Sequence, residues 1–499
     1  MTYILLIGGI ILLSGIFGLL GLSTNYTIIN AVRGNFESTT EAVHSMLNLS
    51  GLKLIFRTTV SNFSSFAPLS MLIIILIGIG VMDKSGFLRS FFAVISSKLN
   101  KLKMTYLISL ILILSSIAGD IMFIVMIPLT ALFFMYSKRN PKAGVVMAFA
   151  GLTIGTGINI FMNSIDASIL NYTNLAALSI DSAYQISVFC YIFIMLFLTF
   201  VMSYVLATVT EKVIVPKLGK YTKDIEILEE EFYLDKKKKR GLFFSFVVGT
   251  VYLLIFIYNI IPGLPFSGNL LDYSQALYID KLFGYNSFFN QGFVFVITLF
   301  FFLIGLAYGI GAKTIKNNQD LVECLGHSLD GIGKTLVLIF FASALIAIFK
   351  TTKIGNVLVA LMSNLIGNMG FSGIPLILVT FVLSMLAALI VPSPVTSWSI
   401  LSGVMVPIYM KAGMSPEFAA LVFRLGSSLT YGLTPLMAYF VIYLAFLNMY
   451  SEKDEKLSLF ESFKYMLPYS LWSGLIFIIV LIIFYIIGIP MGISAVATI

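Results

Sequence analysis

The chain has 499 residues, of which 59% are hydrophobic and only 11% are charged. Soluble domains carry about 25% charged residues, so the composition excludes a soluble protein of two or three domains and indicates an integral membrane protein. The net charge of +8 fits loop lysines and arginines that orient membrane helices, and we expect no nucleic-acid partner.

The first predicted element is an apolar run, residues 3–23, and no charged segment precedes it. We therefore interpret this run as a retained first span and not as a cleaved signal peptide. A crossing of the lipid bilayer needs about 20 mostly apolar residues. The other uninterrupted candidates are 65–82, 184–209, 241–261, 290–311, 335–350 and 467–488. Two longer apolar regions, 104–162 and 374–448, contain polar interruptions.

The basic loops predict the orientation of the chain. Residues 83–103 hold five lysines and arginines against one acid, and residues 210–240 end in DKKKKR. Loops rich in lysine and arginine face the cytoplasm, so we place both loops and the N-terminus there, in the plasma membrane. The loop at 138–142 is also basic, so residues 104–137 enter and leave on the same side. This favours a re-entrant hairpin that turns at SSIAGD, residues 115–120.

Two segments of the chain resemble each other. NPKAGVVMAFAGLTIGTGIN (140–159) aligns with SPEFAALVFRLGSSLTYGLT (415–434), and the predicted crossings give the two segments opposite orientation. Inverted repeats with discontinuous helices are the layout of secondary transporters. Three aligned pairs are each 275 residues apart: Pro141 and Pro416, Gly151 and Gly426, Gly157 and Gly432.

The predicted fold class is an all-α polytopic membrane protein with about nine transmembrane helices, two re-entrant hairpins and an inverted repeat with broken helices, as in secondary transporters. We expect four segments: 1–64, the first transmembrane helix and an outer loop; 65–209, the first repeat with hairpin 104–137 and broken helix 143–162; 210–334, a cytoplasmic linker and connecting transmembrane helices; and 335–490, the second repeat with hairpin 374–410 and broken helix 415–448.

The interruptions carry the candidate chemistry. Broken backbone at membrane depth is tolerated only where protein or water satisfies the freed polar groups. Half-helix N-termini suit anions and carbonyl ends suit cations, so we interpret the interruptions as a binding site; close helix packing at the glycines is the alternative. Hydroxyl side chains cluster there: Thr153, Thr156, Ser427, Ser428, Thr430 and Thr434.

Three charged residues and one tryptophan lie in or beside these interruptions. An unpaired Arg424 would cost at least about 2.5 kcal/mol, so it should face a cavity, an acid or an anionic substrate, or else reach the loop at 411–415. Asp120 and Asp166 are candidates to bind Na⁺ or carry a proton, with helix capping as the alternative for Asp166. Trp398 is either a membrane-interface anchor or a stacking surface for an aromatic ligand.

The cysteines and histidines predict no further chemistry. Cys190 lies in an apolar run, Cys324 in a polar loop, and the two histidines, His44 and His327, are isolated. We expect no disulfide, no cysteine or histidine metal site and no cofactor.

The sequence resembles the p-aminobenzoyl-glutamate transporter family (AbgT) between about residues 58 and 490. The segments that carry the resemblance are NFSSFAPLSMLIIILIGIGVMDKSGF (62–87), IPLTALFF (127–134), AFAGLTIGTGINIFMNSIDASI (148–169), PEFAALVFRLGSSLTYGLTPLMAYF (416–440) and LPYS (467–470). The resemblance implies a homodimer of nine-span protomers with two hairpins each. It also implies uptake of p-aminobenzoyl-glutamate or proton-driven export of sulfonamide-type antimetabolites.

The functional positions of the family carry over in part. Asp166, Trp398, Pro416, Arg424 and Pro435 match them, whereas the family aspartate three residues after the arginine is a serine here. The first hairpin tip reads SSI without the family's asparagine, and the second reads PSPVTS with two prolines. The predicted substrate-binding residues are Asp166, Trp398, Pro416, Arg424, Ser427, Ser428, Thr434, Pro435, Asn159, Gly157 and Gly432. The predicted coupling residues are Asp166, Asp120, Ser115 and Ser116, with a possible Na⁺ near Ser116, Thr396 and Thr430.

The leading hypothesis is a secondary active transporter in which a small aromatic or amino-acyl anion moves with H⁺ or Na⁺ across the lipid bilayer. A channel is one alternative. An intramembrane aspartyl protease is another, and it would require Asp120 and Asp166 to share a site and a proton. The direction of transport, the substrate and the coupling ion stay open at this point.

Overall fold

A computed structural model describes residues 2–30, 35–96, 100–158, 160, 163–221, 234–284, 286–451 and 458–499. Most of the acidic part of the predicted linker, residues 222–233, lies outside the described residues, and so does the predicted site residue Asn159. Within the described ranges, nine helices are long and apolar enough to cross a membrane. They are Thr2–Leu19, Leu49–Lys84, Lys101–Ala118, Ile192–Leu218, Lys236–Ile260, Phe288–Ala312, Gly333–Thr352, Gly373–Ile390 and Leu459–Ile487.

The fold class predicted from the sequence is confirmed, and its parts can be located. Two of the nine long helices, Lys101–Ala118 and Gly373–Ile390, are the first arms of helix pairs that occupy the ranges predicted for the hairpins. Both predicted broken helices are interrupted, but the predicted end of the first at residue 162 is wrong, because its second half is Ser164–Leu178. The four halves have 10 to 15 residues, and each is too short to cross a bilayer alone.

The two repeats correspond helix by helix. The first consists of α3 (Ala67–Lys84), α4 (Phe87–Ser96), α5 (Lys101–Ser115), α6 (Ile121–Tyr136), α7 (Pro141–Gly155), α8 (Ser164–Leu178) and α9 (Ile192–Val209). The second consists of α15 (Gly333–Thr352), α16 (Ile354–Gly367), α17 (Gly373–Ile390), α18 (Pro394–Lys411), α19 (Pro416–Ser428), α20 (Phe440–Met449) and α21 (Leu459–Ile487). Each therefore contains a span, a short helix, two hairpin arms, two halves of a broken helix and a final span.

The remaining elements precede or connect the repeats. They are α1 (Thr2–Leu19), a β-hairpin of β1 (Ser23–Asn30) and β2 (Asn35–Ala42), α2 (Leu49–Ser64), a π-helical turn (Thr210–Ile214), α10 (Val215–Leu218), α11 (Lys236–Ile260), α12 (Tyr278–Phe283), α13 (Phe288–Ala312) and α14 (Asn318–His327). We call α5 with α6 the first hairpin and α17 with α18 the second hairpin.

The repeats exchange the second halves of their broken helices. Helix α8 packs on α18 and α19 of the other repeat, and α20 packs on α6 and α7. Each broken helix thus ends against the partner repeat. This reciprocal packing brings both broken regions to the middle of the molecule.

Paired glycines explain why each broken helix lies so close to a hairpin. A Cβ built on Gly151 would lie 2.9 Å from Leu112 Cβ of the first hairpin. A Cβ built on Gly426, its counterpart in the second repeat, would lie 2.7 Å from the carbonyl oxygen of Phe381 in the second hairpin. Small residues let membrane helices approach closely, and both repeats use this at the same position.

The described chain adds one β-hairpin to the predicted helical class, inside the segment expected to be an outer loop. Its strands pair in an antiparallel register from Ser23 with Ala42 to Asn30 with Asn35. Thr24 and Tyr26 are 7% and 6% exposed, whereas Asn25 between them is exposed, so the strand has a period of two. The buried face of β1 packs on α16 and α18, which is why this polar segment is ordered.

Candidate functional site

The interruptions of the two broken helices meet. We call the described residues between α7 and α8 (156–158, 160 and 163) the first break and residues 429–439 the second break. A Cβ built on Gly157 would lie 2.7 Å from Ser428 Oγ and 3.0 Å from the carbonyl oxygen of Arg424. The first break therefore lies directly against the last turn of α19. Close backbone approach, the packing alternative for these glycines, explains Gly157 without excluding a site beside it.

Arg424 forms an ion pair with Asp166 at this junction. Its Nη2 lies 2.5 Å from Asp166 Oδ1, and the two side chains are 4% and 3% exposed. The guanidinium carbon lies 5.6 Å from the centre of the Tyr191 ring. Among the described residues, none accepts a hydrogen bond from Arg424 Nε. Of the expected environments, an acid is therefore the observed one, and a buried arginine does not extend to the loop at 411–415.

Asp166 has two roles in the geometry. Its side chain accepts the backbone N–H of Asn163 at 3.2 Å, and Asn163 Oδ1 accepts the N–H of Asp166 at 3.0 Å. This reciprocal arrangement is a capping box at the start of α8. Helix capping was the alternative to Na⁺ or proton binding for Asp166 in the sequence, and the structure shows a carboxylate that caps α8 and also pairs with Arg424. The cap holds it in place opposite the arginine.

The amide of Asn163 extends this arrangement to the tip of the first hairpin. Asn163 Nδ2 lies 3.5 Å from the carbonyl oxygen of Ser116, and Ser116 Oγ donates to the carbonyl of Gly155 at 2.9 Å. Ser115, also expected to couple ions, is half-buried and donates to Leu112 within its own helix. The hairpin tip, the first break and Asp166 therefore form one connected polar unit.

A second acid near Arg424 was missed by the sequence reasoning. Glu417 is 2% exposed, accepts a hydrogen bond from the Tyr184 hydroxyl at 2.9 Å, and offers its carbonyl to the Tyr191 hydroxyl at 2.8 Å. Glu417 and Arg424 are seven residues apart on α19, so they lie on one helix face. An acid in the first turn of a helix is ordinary, and the sequence therefore held no signal that this one is buried.

Trp398 belongs to the core of the same junction. It is 0% exposed, its ring stacks on Phe423 with centroids 4.7 Å apart, and its Nε1 donates to Thr173 Oγ1 at 2.9 Å. The interface-anchor alternative is wrong, because an anchor must reach the membrane surface. In this conformation the ring already stacks on a protein residue.

Most predicted hydroxyls are buried, and their hydrogen bonds are local. Ser427 Oγ donates to the carbonyl of Arg424 at 3.2 Å, and Ser428 Oγ donates to that of Leu425 at 2.9 Å. Thr434, 3% exposed, accepts the backbone N–H of Leu436 at 3.3 Å. The two serine hydroxyls thus donate within their own helix and keep acceptor capacity on their oxygens, whereas the Thr434 hydroxyl acts as an acceptor.

The predicted Na⁺ positions occupy separate places. Thr430 Oγ1 donates to the carbonyl of Met385 in the second hairpin at 2.8 Å, whereas Ser116 contacts Gly155 in the first repeat. Gly155 and Thr430 are 275 residues apart and are equivalent positions of the two repeats, and each contacts the hairpin of its own repeat. Thr396 is exposed, and its hydroxyl lies 2.9 Å from Ser393 Oγ.

Asp120 is separate from the buried ion pair. It is exposed at the tip of the first hairpin, directly after Gly119, whose φ of +68° favours glycine. The helix that follows begins at Ile121 without a hydrogen bond from the Asp120 side chain to its first turn. Asp166, by contrast, is occupied by Arg424. The two carboxylates therefore have different surroundings, because Asp166 is buried against Arg424 whereas Asp120 is exposed.

The remaining predicted site residues shape the backbone. Pro416 is buried at the first turn of α19, where its missing N–H costs nothing. A Cβ on Gly432 would lie 2.4 Å from Met466 Cε, so the second break passes close to α21. Pro435 is half-buried within that break.

The whole chain, residues 1–499, matches the model of the AbgT putative transporter family. The p-aminobenzoyl-glutamate transport protein of Escherichia coli (strain K12) is 27% identical over 456 residues, which cover 91% of this chain and 87% of the relative. Neisseria gonorrhoeae MtrF, described as one of a class of antimetabolite efflux pumps, is 28% identical with a TM-score of 0.50, covering 99% of this chain and 96% of that one. The Alcanivorax borkumensis YdaH transporter is 25% identical with a TM-score of 0.49 and covers 98% and 99% of the two chains.

Proposed function

This chain belongs to the AbgT transporter family, and from that premise we propose that it moves a small aromatic or amino-acyl anion across the plasma membrane, driven by H⁺ or Na⁺. The proposed substrate resembles p-aminobenzoyl-glutamate, which gives the Escherichia coli relative its name. A sulfonamide-type antimetabolite is the other substrate class, because MtrF is described as an antimetabolite efflux pump.

The buried ion pair between Arg424 and Asp166 carries the proposal. Arg424 is the one guanidinium near both breaks in the described chain, and planar guanidinium groups bind carboxylates through two parallel hydrogen bonds. In this conformation Nη2 lies 2.5 Å from Asp166 Oδ1 as an ion pair, and neither Nη2 nor Nε has a hydrogen-bond acceptor among the described residues. A substrate carboxylate would therefore bind beside Asp166 or replace it on the arginine.

Coupling follows from the charges at this point. If a second carboxylate binds Arg424 while Asp166 is ionised, two negative charges share one positive charge in a buried site, which is unfavourable. A proton or a sodium ion on Asp166 removes that excess. The cation and the anionic substrate then favour each other's binding and cross the membrane together, which is how a cation gradient would drive transport.

Ser427 makes Arg424 depend more strongly on Asp166 as its acidic partner. The family has an aspartate at this position, and here the serine hydroxyl donates to the carbonyl of Arg424 instead. Without that aspartate on its own helix, Arg424 has more charge available to a ligand. The substitution favours tighter dependence of anion binding on the state of Asp166.

We also propose that the protein is a homodimer and that the N-terminus and the 210–240 linker face the cytoplasm. The basic loops at 83–103 and 210–240 support the orientation, since short cytoplasmic loops are rich in lysine and arginine. The homodimer rests on the family resemblance alone.

Ligand-dependent stability tests the proposed site. A ligand that binds the folded protein raises its thermal midpoint by mass action. We expect p-aminobenzoyl-glutamate to raise the midpoint of the purified protein, with a larger rise at low pH or with Na⁺. Arg424→Ala should abolish the rise.

Arg139 provides the matched control. It forms a second arginine–carboxylate ion pair with low exposure in the described chain. Its Nη2 lies 2.5 Å from Glu211 Oε1, and the two side chains are 6% and 18% exposed. Arg139→Ala should lower the midpoint and keep the ligand-dependent rise. An undiminished rise in Arg424→Ala would remove Arg424 from the substrate site.

A further inference from the structure

A large apolar cavity lies away from the ion pair, between the first hairpin and helices α11 and α13. Its volume is about 670 Å³, within the roughly 300–1,000 Å³ of ligand sites. Its walls are formed by α4, α5 and α6 on one side and by α11 and α13 on the other. It is partly open to the surface, where Phe91, Leu107 and Phe246 are exposed.

The lining determines what the cavity can hold. Among the described lining residues, none is charged, and the side-chain polar groups are the hydroxyls of Thr130, Ser245 and Thr250. The Ser245 hydroxyl already donates to the carbonyl of Ile304 at 2.9 Å. Cavities of this kind hold apolar groups and not ordered water, since water needs two to four polar partners. The proposed anionic substrate has no partner here.

Exposed lysines lie one helical turn beyond the apolar lining. Lys103 precedes the lining residue Leu107 by four positions on α5, and Lys239 precedes the lining residue Leu242 by three positions on α11. Residues three or four apart share a helix face, so Lys239 lies beside the lining face of α11. Lys101 is three positions before Met104 and two before Lys103, so Lys101 and Lys103 flank the lining face of α5 on its two sides. All three lysines are exposed.

We propose that the cavity is a binding site for one anionic phospholipid, with the acyl chains among α5, α6, α11 and α13 and the phosphate at Lys101, Lys103 and Lys239. Basic clusters beside transmembrane helices recognise anionic headgroups, and the apolar cavity selects the chains. The lipid fills a gap between the first hairpin, which contacts the Asp166 region, and two connecting helices. Its occupancy therefore sets how firmly the hairpin is held.

Two substitutions test whether the cavity binds the acyl chains of a lipid, as distinct from a general effect on helix packing. A Cβ on Gly249 would make only ordinary contacts, 3.5 Å from Ile304, so Gly249→Leu places its side chain in the cavity without a backbone clash. Gly292→Leu on α13 is the matched control, because nothing lies within 4 Å of its Cβ position and it does not line the cavity. For the headgroup, Lys101→Gln with Lys103→Gln and Lys239→Gln is compared with Lys53→Gln and Lys411→Gln.

The experiment measures lipid retained by the full chain in native mass spectra and the thermal midpoint after delipidation. We expect phosphatidylglycerol to bind and stabilise more than phosphatidylcholine with the same acyl chains. Gly249→Leu should reduce bound phosphatidylglycerol at least tenfold, and the lysine triple variant should remove the preference for the anionic headgroup. Both controls should behave as wild type.

Three results would overturn the proposal. The first is unchanged phosphatidylglycerol binding in Gly249→Leu. The second is that inorganic phosphate alone stabilises the protein as much as phosphatidylglycerol does, which would show that the cavity binds no acyl chain. The third is a change of oligomeric mass in Gly249→Leu at constant lipid content, which would make the cavity part of a contact between two copies of this chain.

Discussion

Arg424 and Asp166 compensate each other's charge in the protein core. A buried charge whose partner is removed is strongly destabilising, whereas removing both charges together costs much less. The intact ion pair is therefore stable in the core, whereas separating the two side chains leaves buried charges without a partner and is unfavourable. This property makes its opening depend on a compensating cation and anion.

A double-mutant cycle tests this coupling. Arg424→Met and Asp166→Asn should each lower the free energy of unfolding by about 3–5 kcal/mol, and the double variant should cost well under the sum. The measurement is a denaturant titration in mixed micelles. Costs that add would mean that the two side chains do not interact.

Gly157 offers a second test at the same scale. Gly157→Ala would place a Cβ 2.7 Å from Ser428 Oγ, and such overpacking costs about 1–3 kcal/mol. Gly292→Ala, with open space around its Cβ position, should be neutral or stabilising. The measurement is the thermal midpoint of each variant. Equal midpoints for Gly157→Ala and Gly292→Ala would show that the first break is not in close contact with α19.

The sequence pointed to Arg424 and Asp166 themselves but not to the residues that surround them. An arginine in an apolar run required a compensating group, and the capping position of Asp166 was visible in the spacing. Glu417, Tyr184 and Tyr191 were not predicted, because their mutual contacts depend on how α8 and the segment before α9 lie against α19. Long-range packing of that kind leaves no mark on local residue patterns.

The hairpins and broken helices are the elements on which the site depends. Their positions were predictable because glycine, proline and polar residues interrupt apolar runs in the same order 275 residues apart. The β-hairpin was not predicted, since it is polar and lies in what the hydropathy pattern marks only as a loop. Its order comes from packing on α16 and α18.

Glu41 fastens this β-hairpin to the turn between α15 and α16. Its carboxylate accepts hydrogen bonds from Tyr26 at 2.6 Å and Asn356 at 3.2 Å and lies 3.1 Å from Lys353 Nζ. Burial raises the pKa of Glu41, but these partners outweigh it, and the pKa is lowered from its usual 4.5.

The lowered pKa predicts an acid-sensitive hairpin. Stability from Glu41 is fully present above its usual unfolded-state pKa of 4.5 and is lost as the pH falls through the lower folded-state pKa. Hydrogen exchange of residues 23–42 should therefore increase below about pH 4 in wild type. In Glu41→Gln it should be faster at neutral pH and should lack that step; a step of equal size in the variant would assign it to another group.

At the scale of the whole molecule, contacts at the helix ends separate into two sides. Thr314, after α13, donates to the carbonyl of Ser85, after α3, at 2.8 Å. At the opposite end of the crossings, the N–H of His44 donates to the carbonyl of Thr352, at the end of α15, at 2.9 Å. These contacts agree with the crossings predicted from the basic loops.

Cysteine labelling assigns the sides. Leu264 and Lys237 are exposed at opposite ends of α11, and both native cysteines are buried. In intact cells, an impermeant maleimide should label Leu264→Cys and leave Lys237→Cys unlabelled until the cells are opened. The reverse pattern would invert the orientation.

Family membership distinguishes between the transporter, channel and protease alternatives that the sequence left open. The matching family and the curated relative are transporters, so the aspartyl protease alternative is wrong. The same match favours a transporter over a channel. Substrate and coupling ion depend on side-chain chemistry that the family name does not specify.

The central claim is that Arg424 binds the anion only when a cation neutralises Asp166. It is tested most directly by uptake of p-aminobenzoyl-glutamate into proteoliposomes with imposed H⁺ or Na⁺ gradients. Wild type should accumulate substrate with one of the two gradients, and Asp166→Asn, permanently neutral, should exchange substrate without responding to either. Wild-type flux that is indifferent to both gradients would contradict the account.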